Sequence, residues 1–575
     1  MNGTVVKKII TLALACSMLA GTAVTVNAAE VDTIHASKTE TSKVGYSDLY
    51  KSFEKGDVKV DPKGVGIAPF SAAGTVLTPS QALPAKYKTD TTPIKDQGDH
   101  GTCWAFSAMG SLEAFLGLDG KGKQDLAENH LAWFSTITHS QGNGWQLDNI
   151  DMGGWSMIGA GYHLSWQGAK YEKDFPYDGT TANSYPSNWY SGETPYHVTG
   201  IMYVHNDIES VKTAIMRYGA VGASYNSGDG YNTDMTAYYQ SQETSYYQGH
   251  AITIIGWDDN FSKNNFSSYD RPPYDGAWLI KNSWGENYCD HGYLWISYYD
   301  RYLLDSQTWG NNVAVTSVRT NSGHDTLYQN EEWGATGIGY YGNDADGYDN
   351  QITFANVYDF DSTHKYLQKV IFETINSGVN YEVYYMPVDA SGAPVANSSK
   401  WTSLAAGKSN SAGYVSVDIK NFAVPAGKGA IGIAIDSGNA DAYDMDVAFF
   451  GTAEWMGNSY YGQTYFDQKG EQGESYIIRN GQSIDLFDYY YNSYNYENGA
   501  TAVIKVICSD ATIGDVNGDG KSSTVDALLV LRNAIGLYDF DSRNKVNGDT
   551  NFDGKVAASD ALLIQRHAVG LISEY

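Results

Sequence analysis

Apolar residues recur along this chain with different periods in different regions, and no single core can bury them all. From Trp104 to Leu118, the residues Phe106, Met109, Leu112, Phe115 and Leu116 stand mostly three or four apart, the spacing of one buried helix face. Within 320–508 the period falls to two: Val415, Val417 and Ile419 alternate with Ser416 and Asp418, and Ile431, Ile433 and Ile435 with Gly432 and Ala434. That is the pattern of half-buried antiparallel strands and predicts a β-sandwich. The end of the chain carries a duplication, DVNGDGKSSTVDALLVLRNAIGL from Asp515 and DTNFDGKVAASDALLIQRHAVGL from Asp549, offset by 34 residues (549 − 515). A chain of 575 residues exceeds one core in any case. The expected fold is multidomain: a mixed α+β domain over 81–305, with a second helix near Asp125 to Phe134, a β-sandwich over 320–508, and a small α-helical unit over 512–575.

Ahead of these units, Lys7 and Lys8 precede an apolar run from Ile9 to Val26, and Val26-Asn27-Ala28 offers a small-residue cleavage site. Residues 1–28 therefore read as a secretory signal, with an uncleaved anchor as the alternative, and 29–80 as a polar leader or pro-segment without a long helical pattern. No other stretch is long and apolar enough to cross a bilayer. The expectation is a secreted, extracellular protein with no membrane insertion once the signal is removed. Cys16 leaves with that signal, so the mature chain holds Cys103, Cys289 and Cys508. An odd number in an exported chain leaves one thiol free, and Cys289 and Cys508 either pair or remain structural thiols. The formal net charge of −29 argues against nucleic acid or an anionic membrane as partner.

Cys103 stands where the helix begins. The macrodipole and the unpaired N–H groups there favour a thiolate, hence a nucleophile, although a small buried hydrophobe is the alternative reading of an isolated cysteine. A thiolate that attacks a carbonyl needs a base, a group to orient that base, and donors for the oxyanion. His250, in QGHAITIIGWDD, opens an apolar run that predicts a buried strand. Asn282, in WLIKNSWG, could hold its imidazole, and Trp284 could cover that hydrogen bond against water. Gln97, six residues before Cys103 (103 − 97), could donate its side-chain amide to an oxyanion hole beside the Cys103 N–H.

With QGDHGTCWAF, GHAITIIGWD and KNSWG in this order, residues 81–305 resemble the papain-like cysteine peptidases. The resemblance implies Cys103 as nucleophile, His250 as general base and then acid, Asn282 as orienting amide and Gln97 as oxyanion donor. Gly153 and Gly154 in DMGGW fall where the family lines its substrate cleft, where they would let an extended peptide pair with the backbone; an ordinary turn is the competing reading. His100 stands where many members have a disulfide cysteine, and Thr102 replaces the usual Ser or Ala. Residues 260–275 look like an insertion, and the long helical inhibitory propeptide of the family is not recognisable. The Tyr-, Gly-, Asn- and Asp-rich middle resembles the lectin-like β domain of some clostridial members. Its tyrosines either stack on glycan or fill sheet faces.

In the duplicated tail, Asp515, Asn517 and Asp519, then Asp549, Asn551 and Asp553, place oxygens at calcium-loop positions 1, 3 and 5. Lys521 and Lys555 would offer backbone carbonyls at position 7, and Asp526 and Asp560 stand at position 12. One helix follows each loop, a half-built form of the usual calcium hand that resembles a type I dockerin. That resemblance implies two calcium ions and a cohesin module of a bacterial scaffold as partner, with loops that only stabilise the tail as the alternative. The expected function is a scaffold-tethered cysteine endopeptidase acting on proteins or peptides. The rivals are a Cys-dependent acyltransferase or transamidase, and a catalytically idle, scaffold-docked protein that binds peptide or glycan.

Overall fold

The structure is a computed structural model of the chain. It describes residues 83–135, 144–177, 192–304, 312–341, 352–436, 444–489 and 500–575, less some shorter stretches inside those ranges, and the early strands Ile34–Ala36 and Thr39–Val44. The signal segment 1–28 and most of the leader lie outside the described residues. Thr39–Val44 pairs with Gly337–Tyr341 of the middle region.

Helix α1 (Cys103–Leu118) is buried on nearly every side, where the spacing predicts a single buried face. The reason is its position: it packs on a sheet and is covered by α2 (Glu128–Phe134), α3 (Ser156–Leu164) and α4 (Ile208–Tyr218), which share its core. α2 starts at Glu128 because the residues before it are extended. Leu126 bridges to Tyr171, and the Ala127 N–H donates to the Lys170 carbonyl at 3.0 Å.

The sheet beneath α1 has twelve strands: β1 (Lys86–Lys88), β2 (Tyr196–Tyr203), β3 (Val221–Asn226), β4 (Ala237–Tyr238), β5 (Gly249–Asp258), β6 (Ala277–Lys281), β7 (Tyr293–Ser297), β8 (Val313–Thr320), β9 (Asp325–Gln329), β10 (Tyr366–Thr374), β11 (Ala412–Ala423) and β12 (Ile504–Ser509). Their spatial order is β9-β12-β10-β11-β2-β8-β3-β5-β6-β7-β4, and β1 also pairs β5. One continuous sheet thus joins the α+β and β-rich regions. At the junction Ala412, Gly413 and Tyr414 of β11 run antiparallel to Tyr203, Met202 and Ile201 of β2. β8, which begins in the stretch between the two expected units, is inserted between β2 and β3.

The sandwich expected from the period-two pattern is present. A six-stranded sheet, ordered Thr402–Lys408, Asn380–Pro387, Gly427–Asp436, Ile352–Phe360, Ser475–Arg479, Gln482–Asp485, faces β10, β11 and β12. Phe354, Ile431, Ile433 and Ile435 meet Val370, Phe372, Val417, Ile419 and Val506 between the sheets. Cys103, Cys289 and Cys508 are all free thiols, so the two left open by the sequence do not pair.

In the tail, α5 (Thr524–Ala534) and α7 (Ala558–Ala568) follow the two loops and pack on one another through Ala527, Val530, Ala561 and Ile564. A helix that the repeat does not predict, α6 (Ser542–Gly548), lies between them. It braces the first loop: the Asn544 amide donates to the Val516 carbonyl at 2.7 Å, and the Asn547 amide to the Asp515 carbonyl.

Candidate active site

Three segments distant in sequence meet at the start of α1. Thr102 supplies no side-chain cap to that helix; its hydroxyl bonds the Tyr177 hydroxyl at 2.7 Å instead. The first N–H groups of α1 are therefore left to act on Cys103, whose thiol is buried against β5 and receives the Ala251 N–H at 3.4 Å. His250, next to Ala251 on β5, bonds through Nε2 to Asn282 Oδ1 at 2.7 Å, just past the end of β6. Asn282 Oδ1 also accepts the Ser283 N–H at 2.9 Å, which fixes it as the oxygen and requires Nε2 to carry the imidazole proton. Nδ1 is then the basic nitrogen of the neutral ring. Trp284 stacks on the imidazole at 4.5 Å between centroids, and Tyr225 meets it edge-on at 5.8 Å.

Burial pushes the Cys103 thiol up, against the downward pull of the Ala251, Trp104 and Cys103 N–H groups. The sequence alone points to a lowered thiol, but α1 does not begin at the surface. Burial pulls His250 down to about 4, while its bond to Asn282 works the other way. Burial thus disfavours the charged form of each group.

Gln97 is buried too, and three of its atoms bond Ser283 and His100. Its N–H donates to the Ser283 carbonyl at 2.8 Å, its Oε1 accepts the Ser283 hydroxyl at 2.6 Å, and its Nε2 donates to the His100 carbonyl at 2.7 Å. One Nε2 hydrogen remains for another acceptor. Ser283 and Tyr177, whose hydroxyl donates to the Gln97 carbonyl at 2.8 Å, are parts of this arrangement that the sequence reading missed. Adjacency to Asn282 was the available signal for Ser283; Tyr177 offered none. Gly153 and Gly154 lie beside α1. A Cβ on Gly154 would come 2.4 Å from the Trp104 ring, so only glycine allows that backbone to lie on it. Trp155 lies outside the described residues.

Behind the site lies a charged cluster, also missed. Lys95 donates to Glu113 at 2.9 Å, to Glu128 at 2.8 Å and to the Leu126 carbonyl at 2.9 Å, while Lys281 donates to Thr92 at 2.6 Å and stands 3.6 Å from Glu113. Burial alone would push the Lys95 ammonium down, but Glu128 and Glu113 hold it well above its usual range. Glu113, the one charged residue of α1, was the legible clue.

In the tail, Asp526 and Asp560 are fully buried, and their described partners are mostly backbone N–H groups. Asp526 accepts from Val516 at 2.8 Å, Asn517 at 2.9 Å and Ser523 at 2.9 Å; Asp560 accepts from Asn551 at 3.1 Å and Ala557 at 2.9 Å. These carboxylates tie each loop to its helix. Asp515 is buried as well, and carboxylate oxygens are the ligand type that a hard cation takes. Asp519 and Asp553 lie outside the described residues, as do the loop glycines, whereas Asn517, Lys521, Asp549, Asn551 and Lys555 are described.

Three regions of the chain match known protein families. Family matches cover residues 79–309 as papain family cysteine protease, 327–506 as lectin like domain and 513–567 as dockerin type I domain. A solved structure of the cysteine protease and lectin-like domains of Cwp84, a surface layer associated protein of Clostridium difficile, is 34% identical with a TM-score of 0.65, covering 82% of this chain and 98% of that one. Clostridial Cwp84 after propeptide cleavage is 37% identical with a TM-score of 0.62, covering 73% of this chain and 97% of that one. Among curated relatives, digestive cysteine proteinase 3 of Homarus americanus is 27% identical over 256 residues, 44% of this chain and 70% of that protein. Cathepsin J of Rattus norvegicus is 26% identical over 210 residues, 36% of this chain and 57% of its own length. The chain belongs to the papain family of cysteine proteases, and carries a lectin-like β domain and a type I dockerin, a calcium-binding module.

Proposed function

We propose that the protein is a secreted cysteine endopeptidase anchored to a cohesin-bearing scaffold, with Cys103 as nucleophile. The observation that carries this reading is the bond from His250 Nε2 to Asn282 Oδ1 at 2.7 Å, made while the Cys103 thiol sits against the neighbouring Ala251 N–H. The Cys103 proton passes to His250 Nδ1, and the thiolate forms a bond to the scissile carbonyl carbon. The Cys103 N–H and Gln97 Nε2 receive the oxyanion. His250 then gives its proton to the leaving nitrogen as the C–N bond breaks, leaving a thioester. Water, deprotonated by His250, releases the acid and restores the thiol. Trp284 over the imidazole keeps bulk water from its bond to Asn282.

Gly153 and Gly154 bind the extended substrate backbone in this reading. Asp515, Asn517, Asp519, the Lys521 carbonyl and Asp526, and Asp549, Asn551, Asp553, the Lys555 carbonyl and Asp560, would hold calcium in this reading, and the ion would supply positive charge to offset the loop carboxylates. The leader acts as a pro-segment, in line with the propeptide cleavage in the description of a Cwp84 structure. The lectin-like domain contributes glycan contact, and the place of action is extracellular.

The test is incubation of the mature protein under reducing conditions with a denatured protein, followed by sequencing of the new termini. Discrete new termini are expected with the wild type and none with Cys103→Ala. Cleavage that survives the substitution would remove Cys103 from the reaction, and acyl transfer to added amines without hydrolysis would favour a transamidase.

A further inference from the structure

The loop from Gln97 to Thr102 and the segment carrying Gly153 and Gly154 are joined by a polar contact that the reaction scheme above leaves unused. His100 Nδ1 lies 2.8 Å from Asp151 Oδ1, and the same oxygen accepts the Gly101 N–H at 3.3 Å. The pair is partly covered, with side chains 17% and 31% exposed, so it is neither a free surface pair nor a buried ion pair. The backbones also meet. A Cβ on Gly101 would come 2.8 Å from the Asp151 carbonyl oxygen and 3.2 Å from the Gly153 N, so the approach exists because residue 101 is glycine.

From this contact a short chain of bonds leads to the reacting atoms. The His100 side chain is tied to Asp151, and the His100 carbonyl accepts from Gln97 Nε2 at 2.7 Å. Ser283 holds Gln97 at the opposite end of its amide, through Oε1. Where the His100 backbone sits therefore decides where the second Nε2 hydrogen points. Two residues beyond Asp151 the chain reaches Gly153.

We propose that His100 and Asp151 form a non-covalent clasp that positions the oxyanion donor Gln97 against the cleft wall at Gly153 and Gly154. The proposal rests on the reading of Gln97 as an oxyanion donor. His100 is a positioning residue: it touches no reacting atom and acts through Gln97. Loosening the clasp lets Nε2 swing from the place where the oxyanion forms, which lowers transition-state stabilisation more than substrate binding.

The experiment compares the full chain carrying His100→Ala, Asp151→Ala, Asp151→Asn, Gln97→Ala or the pair Gln97→Ala/His100→Ala. Three quantities are read: kcat and KM on a peptide amide, inhibition by a peptide aldehyde that forms a tetrahedral adduct, and alkylation of Cys103 by iodoacetamide, which forms no oxyanion. His100→Ala and Asp151→Ala are expected to lower kcat and aldehyde affinity about tenfold each, a fraction of the roughly hundredfold or greater loss when an oxyanion donor is removed outright. KM and the alkylation rate stay within about twofold of the wild type, and Asp151→Asn, which keeps the accepting oxygen, recovers most of the loss. In the Gln97→Ala background His100→Ala adds almost nothing. An effect of Gln97→Ala with none from His100→Ala overturns the clasp alone. No effect of Gln97→Ala overturns the oxyanion reading, and the clasp with it. Equal loss of turnover and alkylation in both His100→Ala and Asp151→Asn means general damage to the site and also overturns the clasp.

Discussion

At the scale of single residues, the site works with groups whose charges are suppressed by burial. Asn282 is the proposed remedy for one of them, since its oxygen holds the His250 proton on Nε2 and supports the charged ring. Asn282→Ala is expected to lower kcat by about tenfold to a thousandfold while the fold persists, with steady-state kinetics and circular dichroism as the checks. A second buried imidazole, His163 on α3, has no role in the scheme. It faces the Ala108 carbonyl, and burial pulls it down to about 4. In an unfolded chain an imidazole titrates near pH 6.5, so between those values the unfolded state binds the extra proton. The contribution of neutral His163 to stability is complete above about pH 6.5 and is lost as the pH falls towards 4. Wild type should therefore lose about 3 kcal/mol relative to His163→Phe between pH 7 and pH 4. Parallel urea-unfolding profiles for the two proteins across that range would show that His163 titrates normally. Asp300, pushed up to about 7 by burial, acts in the opposite sense in both proteins and cancels in the comparison.

Among elements, the decisive packing is that of α1 on β5, which brings Cys103 to the neighbour of His250. The cluster of Lys95, Glu113, Glu128 and Lys281 ties separate segments of the site together. Lys95 lies two residues before Gln97, Glu113 lies on α1, and Lys281 immediately precedes Asn282. Removing one charge leaves the others buried without their counterpart. Glu113→Gln is expected to destabilise the protein by about 3 kcal/mol or more, because two lysines then share fewer carboxylates. Adding Lys281→Met should return part of that loss, measured by a double-mutant cycle in urea. Additive losses would mean that the pair is not energetically coupled. The β2–β11 junction has a comparable internal bond, from the Tyr203 hydroxyl of β2 to the fully buried Glu373 of β10.

For the whole molecule, the continuous sheet predicts one cooperative unit from residue 83 to 508. Calorimetry of the full chain should show the peptidase and lectin-like regions unfolding together, because separating them breaks β2 from β11 and exposes apolar surface shared with Ile371, Tyr414 and Ile507. Two independent transitions for these regions would contradict the shared sheet. The dockerin has its own small core and should melt separately. With calcium in its loops as proposed, chelator should lower the transition of this module alone and abolish cohesin binding, and calcium should restore both. Cohesin binding that survives chelation would reduce the loops to a structural role.

Local pattern in the sequence determined the helix after Cys103, the alternating strands from Val415 to Ile435, the paired loops and helices of the tail, and the order of the Cys, His and Asn motifs. Each depends on residues within one turn, one strand or one repeat, where spacing reports which face is buried. The tertiary structure alone decided that the peptidase and sandwich regions share a sheet, that α1 is buried on nearly every side, that burial raises the Cys103 thiol, and that His100 meets Asp151. Those contacts join residues tens to hundreds of positions apart. A single charge or glycine carries no period that reveals its partner, and desolvation depends on every element packed around a group rather than on its neighbours in the chain.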